Sequence, residues 1–166
     1  MTTFFEKAQA STLSDHEVKV VRSFKAPRDL VYKAYTTPEL LKRWLLGPPG
    51  WTMPVCEMDV RVGGKYKWRW RSDADGKEFG FHGVFQEVNA PSKLVNTQFY
   101  DPGDVGGDMG EAALITVELA EEKGFTTMTS VMDFKTKQAR DAAMSTGMTD
   151  GMEHGYQRLD DLLAKR

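Results

Sequence analysis

Hydrophobic and polar positions follow two different periods along the chain. Residues 17–24 (EVKVVRSF) alternate with a period of two, which predicts a β-strand. The same alternation returns over residues 54–60, 64–72, 77–88, 93–100, 112–121 and 125–134. Glycine-containing turns separate several of these segments, as in DADGK at 73–77 and EEKG at 121–124. We therefore predict an antiparallel meander of six strands, with the first segment as a seventh strand.

Helical spacing occupies the two remaining stretches. After the first strand, Pro27 can open a short helix and Pro38 a second one, which the run GPPG at 47–50 must end. A long helix is predicted from about Gln138 to Ala164, with an apolar stripe of methionine and leucine at helical spacing. Glycines recur every fourth residue beside that stripe, at Gly147, Gly151 and Gly155.

Each glycine costs about 1 kcal/mol relative to alanine inside a helix, so the row requires an explanation. Two readings are open: the helix packs closely on the sheet, or this face borders a space that another molecule fills.

The segment GGKYKWRWRS at 63–72 alternates large aromatic residues with cations. Neighbouring side chains of a strand point to opposite faces, so Tyr66, Trp68 and Trp70 share one face. The cations occupy the other face: Lys65, Lys67, Arg69 and Arg71. A platform for single-stranded nucleic acid needs aromatics and cations on one surface. The pleat separates them here, which favours an apolar inner face beneath the C-terminal helix.

The spacing along residues 77–88 predicts a β-bulge. Phe85 and Val88 are an odd number of residues apart, so an extra residue near Gln86 is needed to place both on one face. Such a bulge would curve the sheet, and a curved sheet wrapped on a single helix can leave a pocket between them. Equally, the many aromatic residues can fill the core without leaving any space.

Composition narrows the function classes. The chain has 166 residues, 22 basic and 24 acidic, for a net charge of −2, which argues against general nucleic-acid binding. The single cysteine, Cys56, favours a reducing compartment, and we expect a cytoplasmic protein with no membrane span. We assign residues 1–15 to a polar leader and 16–166 to one domain. A homodimer remains an open alternative for which no residue argues.

Four segments together resemble the activator of heat-shock-protein-90 ATPase homologue-like family of the START / Bet v 1-like superfamily: residues 20–50, 59–69, 75–99 and 147–165. The resemblance covers Val18 to Lys165. It implies an α+β helix-grip fold, with a curved seven-stranded antiparallel sheet around a long C-terminal helix and two short helices after the first strand. It also implies a hydrophobic cavity between sheet and helix. Relatives commonly have Gly-Trp where this chain has Gly151-Met152, which alters the shape of that cavity.

Residues for catalysis or metal binding are sparse. One cysteine and three scattered histidines do not form a ligand cluster, so we expect no metal and no cofactor. The glycine- and acid-rich run Asp101 to Glu111 does not match a calcium loop and predicts a loop at the mouth of the pocket. The candidates for acid–base work in an apolar pocket are His82, Tyr66, Tyr156, Asp133 and Arg22.

The sequence thus predicts a domain that binds a hydrophobic or aromatic small molecule. Aromatic and methionine side chains are expected to line the cavity: Trp44, Trp51, Tyr66, Trp68, Trp70, Phe79, Phe81, Phe99, Met132, Met152 and Tyr156. Two alternatives stay open. The protein could be a cyclase- or hydrolase-like enzyme acting on such a ligand, or a co-chaperone-like module that contacts another protein.

Overall fold

A computed structural model describes residues 3–103 and 112–165 of the chain. The described residues form one antiparallel sheet of eight strands in the order β1-β2-β8-β7-β6-β5-β4-β3. The strands are β1 Gln9–Ser14, β2 Glu17–Phe24, β3 Trp51–Met58, β4 Lys65–Ser72, β5 Glu78–Asn89, β6 Lys93–Asp101, β7 Ala113–Glu122 and β8 Phe125–Asp133. The helices are α1 Arg28–Thr36, α2 Pro38–Trp44, α3 Lys137–Ser145 and α4 Met148–Ala164.

The predicted α+β helix-grip class is confirmed, with one more strand than the seven expected. Strand β1 comes from the segment that we assigned to the leader, and it pairs antiparallel with β2. Its side chains are almost all exposed, because β1 forms one edge of the sheet and lies outside the core. A polar segment without an apolar alternation carries no hydrophobic signal for a strand.

Three register shifts bend the sheet. One lies between Phe85 and Glu87 in β5, where the sequence predicts a bulge. The other two occur in β1, between Thr12 and Ser14, and in β3, between Thr52 and Val55. Extra residues at such points increase local twist and bend the strand, so the sheet curves around the helices.

The predicted C-terminal helix is divided into α3 and α4. Gly147 separates them in a left-handed conformation, with φ 75°, which glycine adopts without the steric penalty of a Cβ. The regular spacing of the three glycines suggested one shared role, and the structure gives them different ones. Gly147 allows the chain to turn, whereas Gly151 and Gly155 lie inside α4.

Close packing around α4 explains only Gly155. A Cβ at Gly155 would lie 2.9 Å from the backbone oxygen of Trp44, so α2 can approach α4 only because that atom is missing. A Cβ at Gly151 would make an ordinary 3.4 Å contact with Pro48. The close contact at Gly155 is therefore between helices α2 and α4. The sequence had suggested a close contact between the helix and the sheet instead.

The main core lies between strands β2, β7 and β8 and the helices. Its fully covered side chains are mostly aliphatic and include Val18, Val20, Phe24, Met128 and Leu159. No helix within the described part of the chain combines the length and apolarity that a membrane crossing requires. Most of the loop predicted at 101–111 lies outside the described residues.

Candidate functional site

Strands β3 to β6 carry a continuous cluster of aromatic rings on their inner face, which we call the aromatic cluster: Trp51, Tyr66, Trp68, Trp70, Phe79, Phe81, Phe85 and Tyr100. Cross-strand pairing creates it, since Trp68 lies opposite Phe81 and Trp70 opposite Phe79. The Trp70 and Phe79 rings stack at 5.3 Å, and Trp51 meets Phe79 edge-on at 5.3 Å. Such geometries add to the stability that burial of the rings provides.

The aromatic cluster is incompletely covered. Tyr66, Trp70 and Phe85 are buried, whereas the remaining five rings are only partly buried. Leu45, which follows α2, accepts a hydrogen bond from the Trp70 indole, and Trp68 also packs against the main core. This end of the interior therefore has rings that a small molecule could cover.

The tryptophan indoles of the interior differ in their hydrogen bonds. Trp44 donates to the carbonyl of Ala34 at 3.1 Å, and Trp70 donates to the carbonyl of Leu45 at 2.7 Å. The indole nitrogen of Trp68 is buried and has no hydrogen-bond partner, and it is the one such side-chain atom in the described part of the chain. A buried donor without an acceptor is costly, so Trp68 marks an unfilled polar position in an apolar environment.

Hydrogen bonds among Tyr66, Asn96 and Thr97 border the aromatic cluster on the β6 side. The Tyr66 hydroxyl donates to the carbonyl of Thr97 at 2.5 Å and accepts from the Asn96 amide at 3.0 Å. Burial raises the pKa of Tyr66, and the hydrogen bond from Asn96 opposes this only in part, so the phenol stays neutral. Gly83 lies opposite Tyr66, and a Cβ there would meet the ring and the Thr97 backbone. The missing side chain lets Tyr66 reach across β5.

Most of the predicted lining residues lie inside the molecule, in two separate groups. Trp51, Tyr66, Trp68, Trp70, Phe79 and Phe81 belong to the aromatic cluster. Trp44, Met132 and Tyr156 belong to the buried core, where Trp44 packs edge-on against Tyr35 at 4.8 Å. Met152 is partly buried on α4 and packs against that core.

Phe99 is a correction to the expected lining. It is 45% exposed and stacks on His82 at 5.2 Å, with the two rings almost parallel at 7°. His82 is paired with Lys67, so both rings share the outer, cationic face of the sheet. Residue type suggested an inward Phe99, but its separation of five residues from the buried Leu94 places it on the opposite face.

The sequence analysis missed two inward groups of β6. Asn96 is buried and bonds Tyr66, and the ring of Tyr100 lies 5.8 Å from that of Phe81. Both lie an even number of residues after the buried Leu94, and this spacing predicts that they share its inward direction. Residue type argued the other way, because an asparagine and a tyrosine near the end of a strand are ordinary surface residues.

The acid–base candidates do not meet at the aromatic cluster, Tyr66 excepted. His82 is on the outer face, and Asp133 receives a hydrogen bond from His16 at 2.8 Å. Tyr156 is hydrogen-bonded to Tyr35, and burial raises the pKa of both phenols. None of these contacts brings an acid and a base together at the aromatic cluster.

Arg22, which is buried, forms an ion cluster with two partly exposed carboxylates between β2 and α4. Its side chain is 2% exposed and donates to Glu153 at 3.0 Å and to Asp160 at 2.8 Å. Glu153 also accepts from the backbone N–H of Ala8 at 2.7 Å. Burial alone would raise the pKa of Glu153, but these hydrogen bonds and the guanidinium charge outweigh it and lower the pKa. The cluster ties the N-terminal segment to α4.

An open groove of about 400 Å³ runs beside this ion cluster. Phe4, Arg22, Lys25, Asp160 and Leu163 contribute to its walls. None of the predicted lining residues reaches it. The described residues contain no group of three or more histidine, cysteine or acidic side chains that could hold a metal ion.

Comparison with known proteins gives a consistent result. The family model described as activator of Hsp90 ATPase homolog 1-like protein matches residues 25–164. No curated protein matches the chain.

Several solved structures resemble it along nearly their whole length. A protein from Rhodobacter sphaeroides is 29% identical, with a TM-score of 0.87 over 96% of this chain and 99% of its own. A protein from Nitrosomonas europaea is 25% identical, with a TM-score of 0.78 over 92% and 96%. A protein from Mycobacterium smegmatis, 20% identical with a TM-score of 0.81 over 93% and 95%, shares the fold.

Proposed function

This chain belongs to the activator of Hsp90 ATPase homolog 1-like family, and we propose that it binds a small apolar or aromatic molecule against the aromatic cluster, on the inner face of strands β3 to β6. The observation that carries the proposal is the incomplete covering of the cluster. Trp51, Trp68 and Phe81 point inward from the sheet yet remain partly exposed. The cytoplasmic location belongs to the same proposal, since Cys56 is a free thiol.

Physical chemistry favours a flat apolar ligand here. Covering exposed ring surface gains on the order of 25 cal/mol per Å² of apolar area removed from water. The rings present both faces and edges, as in the edge-on contact of Trp51 with Phe79. Offset-stacked and edge-to-face contacts with a planar ligand would follow the geometry that the rings already use with one another. Methionines at 144, 148 and 152 can repack around ligands of different shape.

Ligand titration followed by tryptophan fluorescence tests the proposal. The panel contains dodecanoate, the flavonoid naringenin and the aromatic polyketide emodin, with correction for ligand absorbance. We expect saturable quenching by at least one planar compound. Absence of saturation with all three, combined with a crystal structure that shows the cluster filled by the protein's own side chains, would refute the proposal.

Two variants make the test specific. Met152→Trp adds volume at a partly buried position of α4, and we expect it to weaken binding at least tenfold if the added ring enters the space the ligand needs. Phe99→Ala removes an aromatic ring from the outer face of the sheet, away from the proposed site, and should leave the affinity unchanged. Equal effects of the two substitutions would place the ligand elsewhere.

The enzyme and the co-chaperone alternatives rank lower. An enzyme would need an acid or base at the cluster, and His82, Asp133 and Arg22 lie at other places. Tyr66 does lie there, but its hydroxyl is bonded to Thr97 and Asn96. A role in activating a chaperone would rest on the family's name alone, because no described contact identifies a surface for such a partner.

A further inference from the structure

The unpaired indole N–H of Trp68 restricts which ligand the aromatic cluster can accept. We propose that the ligand carries an uncharged hydrogen-bond acceptor, such as a ketone, quinone or ester carbonyl, that receives the proton of Trp68 Nε1. This inference rests on the proposed function and specifies it. Trp68 would then be the residue that selects oxygenated aromatic compounds over hydrocarbons of the same shape.

The surroundings of Trp68 offer no acceptor from the protein. Directly across the sheet on the same face are Cys56 and Phe81. The Trp68 ring lies between those of Tyr66, at 4.5 Å, and Trp70, at 6.2 Å. The Tyr66 hydroxyl is already bonded to Thr97 and Asn96. None of these neighbours offers a free acceptor, and the nitrogen is covered by the protein, so a ligand acceptor reaches it only by displacing part of that cover.

A solvent molecule is a poor partner at this position. A buried water usually makes two to four hydrogen bonds to polar groups. The Cys56 thiol is directed to the carbonyl of Pro38, at 3.8 Å, and the neighbouring rings provide no lone pairs. A ligand carbonyl needs only the one donor, and its apolar remainder gains contact with the rings. The site therefore suits a molecule with one acceptor more than it suits water.

The charge distribution argues for a neutral acceptor. The four cations of β4 all lie on the outer face, and Arg69 and Arg71 are paired there with Glu78. A carboxylate placed beside Trp68 would be desolvated without a cation opposite it, which is strongly unfavourable. A ketone or ester carbonyl avoids that penalty and still accepts the hydrogen bond.

Calorimetric titration of two matched compounds tests the inference: 1-tetralone and its hydrocarbon analogue tetralin. The measured quantity is the ratio of their affinities, in the wild-type protein and in Trp68→Phe. Phenylalanine keeps an aromatic ring but has no donor. We expect the preference for tetralone to fall about three- to tenfold in Trp68→Phe, the range of one hydrogen bond. Trp70→Phe is the matched control, because the donor of Trp70 is bonded to Leu45, and its ratio should equal that of the wild type.

The outcomes separate the two proposals. If neither compound binds the wild-type protein, this inference is wrong, and the proposed function is decided by the fluorescence panel. If both bind and Trp68→Phe leaves the ratio unchanged, the inference is wrong and the ligand site stands. Should Trp68→Phe fail to fold, the infrared carbonyl band of tetralone bound to the wild-type protein replaces it. A band at lower frequency than in hexane supports the hydrogen bond, and a band at the hexane frequency overturns it.

Discussion

The two halves of the sheet use different residues on their inner faces. Strands β2 and β8 contribute Val18, Val20, Phe24 and Met128, and each of these side chains is 0% exposed. Strands β4 and β5 contribute larger rings, of which Trp68 and several others stay partly exposed. We call these the aliphatic half and the aromatic half. The half with more apolar surface is thus the one that is covered less well.

The two halves therefore have different roles: the aliphatic half stabilises the fold, and the aromatic half is the proposed ligand site. In the aliphatic half, close packing and the Arg22 ion cluster hold α4 on the sheet. In the aromatic half, ring surface stays uncovered and one indole donor is unpaired. A site that must admit a ligand cannot be filled by its own side chains, so the free energy of folding has to come from elsewhere in the domain. The predictions below test that division.

The largest expected effect is in the core that α4 forms with the aliphatic half. Leu159→Ala should lower the free energy of unfolding by about 2–5 kcal/mol, because Leu159 is completely buried and its loss leaves a cavity. Phe81→Ala in the aromatic half removes more carbon atoms from a site that is already open. We expect it to destabilise the protein less than Leu159→Ala does, as measured by urea denaturation. The reverse order would show that the aromatic half is the tightly packed one.

The ion cluster should make the anchoring of α4 depend on pH. Because the folded-state pKa of Glu153 is lowered, its contribution is complete above its ordinary value of 4.5 and is lost as pH falls through the folded value. We expect Glu153→Gln to lose about 1.5–3 kcal/mol at pH 7, the range for hydrogen bonds to charged groups. The difference from wild type should shrink in urea titrations between pH 7 and pH 3. A difference that does not change with pH would exclude this role.

The helix contact beside Trp44 gives an intermediate effect. Gly155→Ala places a Cβ against a backbone oxygen, which should destabilise the protein by about 1–3 kcal/mol. Gly151→Ala is the matched control, since its Cβ meets only Pro48 at an ordinary distance and alanine favours the helix. We expect it to be neutral or stabilising by up to about 1 kcal/mol in thermal unfolding. If both substitutions behave alike, α2 does not pack against α4 as closely as described.

The smallest effect distinguishes two indoles of the aromatic half. Trp70→Phe leaves the Leu45 carbonyl without its donor and should reduce stability by about 1–2 kcal/mol. Trp68→Phe removes a buried donor that has no acceptor and should change stability by less than about 0.5 kcal/mol. Parallel thermal denaturation of the ligand-free variants measures both. A large loss in Trp68→Phe would mean that its N–H is satisfied in solution.

Alternation and glycine turns were sufficient to predict most of the fold. Strand β2 has the predicted bounds Glu17–Phe24, and the bulge between Phe85 and Glu87 follows from parity alone. The break at Gly147 was not predicted, because a glycine at helical spacing fits a continuous helix as well as an interrupted one. Strand β1 was missed because its pairing depends on backbone hydrogen bonds to β2 and leaves no hydrophobic trace.

The candidate site was predictable only in part. Alternation placed Tyr66, Trp68 and Trp70 on one inner face, and the structure has all three there. Phe99 lies five residues after the buried Leu94, and this odd spacing predicts that Phe99 faces outward. The unpaired state of Trp68 depends on the positions of other chain segments: Trp70 finds the Leu45 carbonyl and Trp68 finds none. No local sequence pattern contains that information.

The indole N–H signals of the four tryptophans provide the most direct test of an aromatic half that receives a ligand. A ¹⁵N–¹H correlation spectrum of the protein titrated with 1-tetralone follows each of them separately, after assignment by single Trp→Phe substitutions. We expect a saturable shift of the Trp68 signal, while those of Trp44 and Trp70 remain unchanged because their N–H groups stay bonded to carbonyls. A spectrum in which the Trp68 signal stays fixed at saturating tetralone would contradict it.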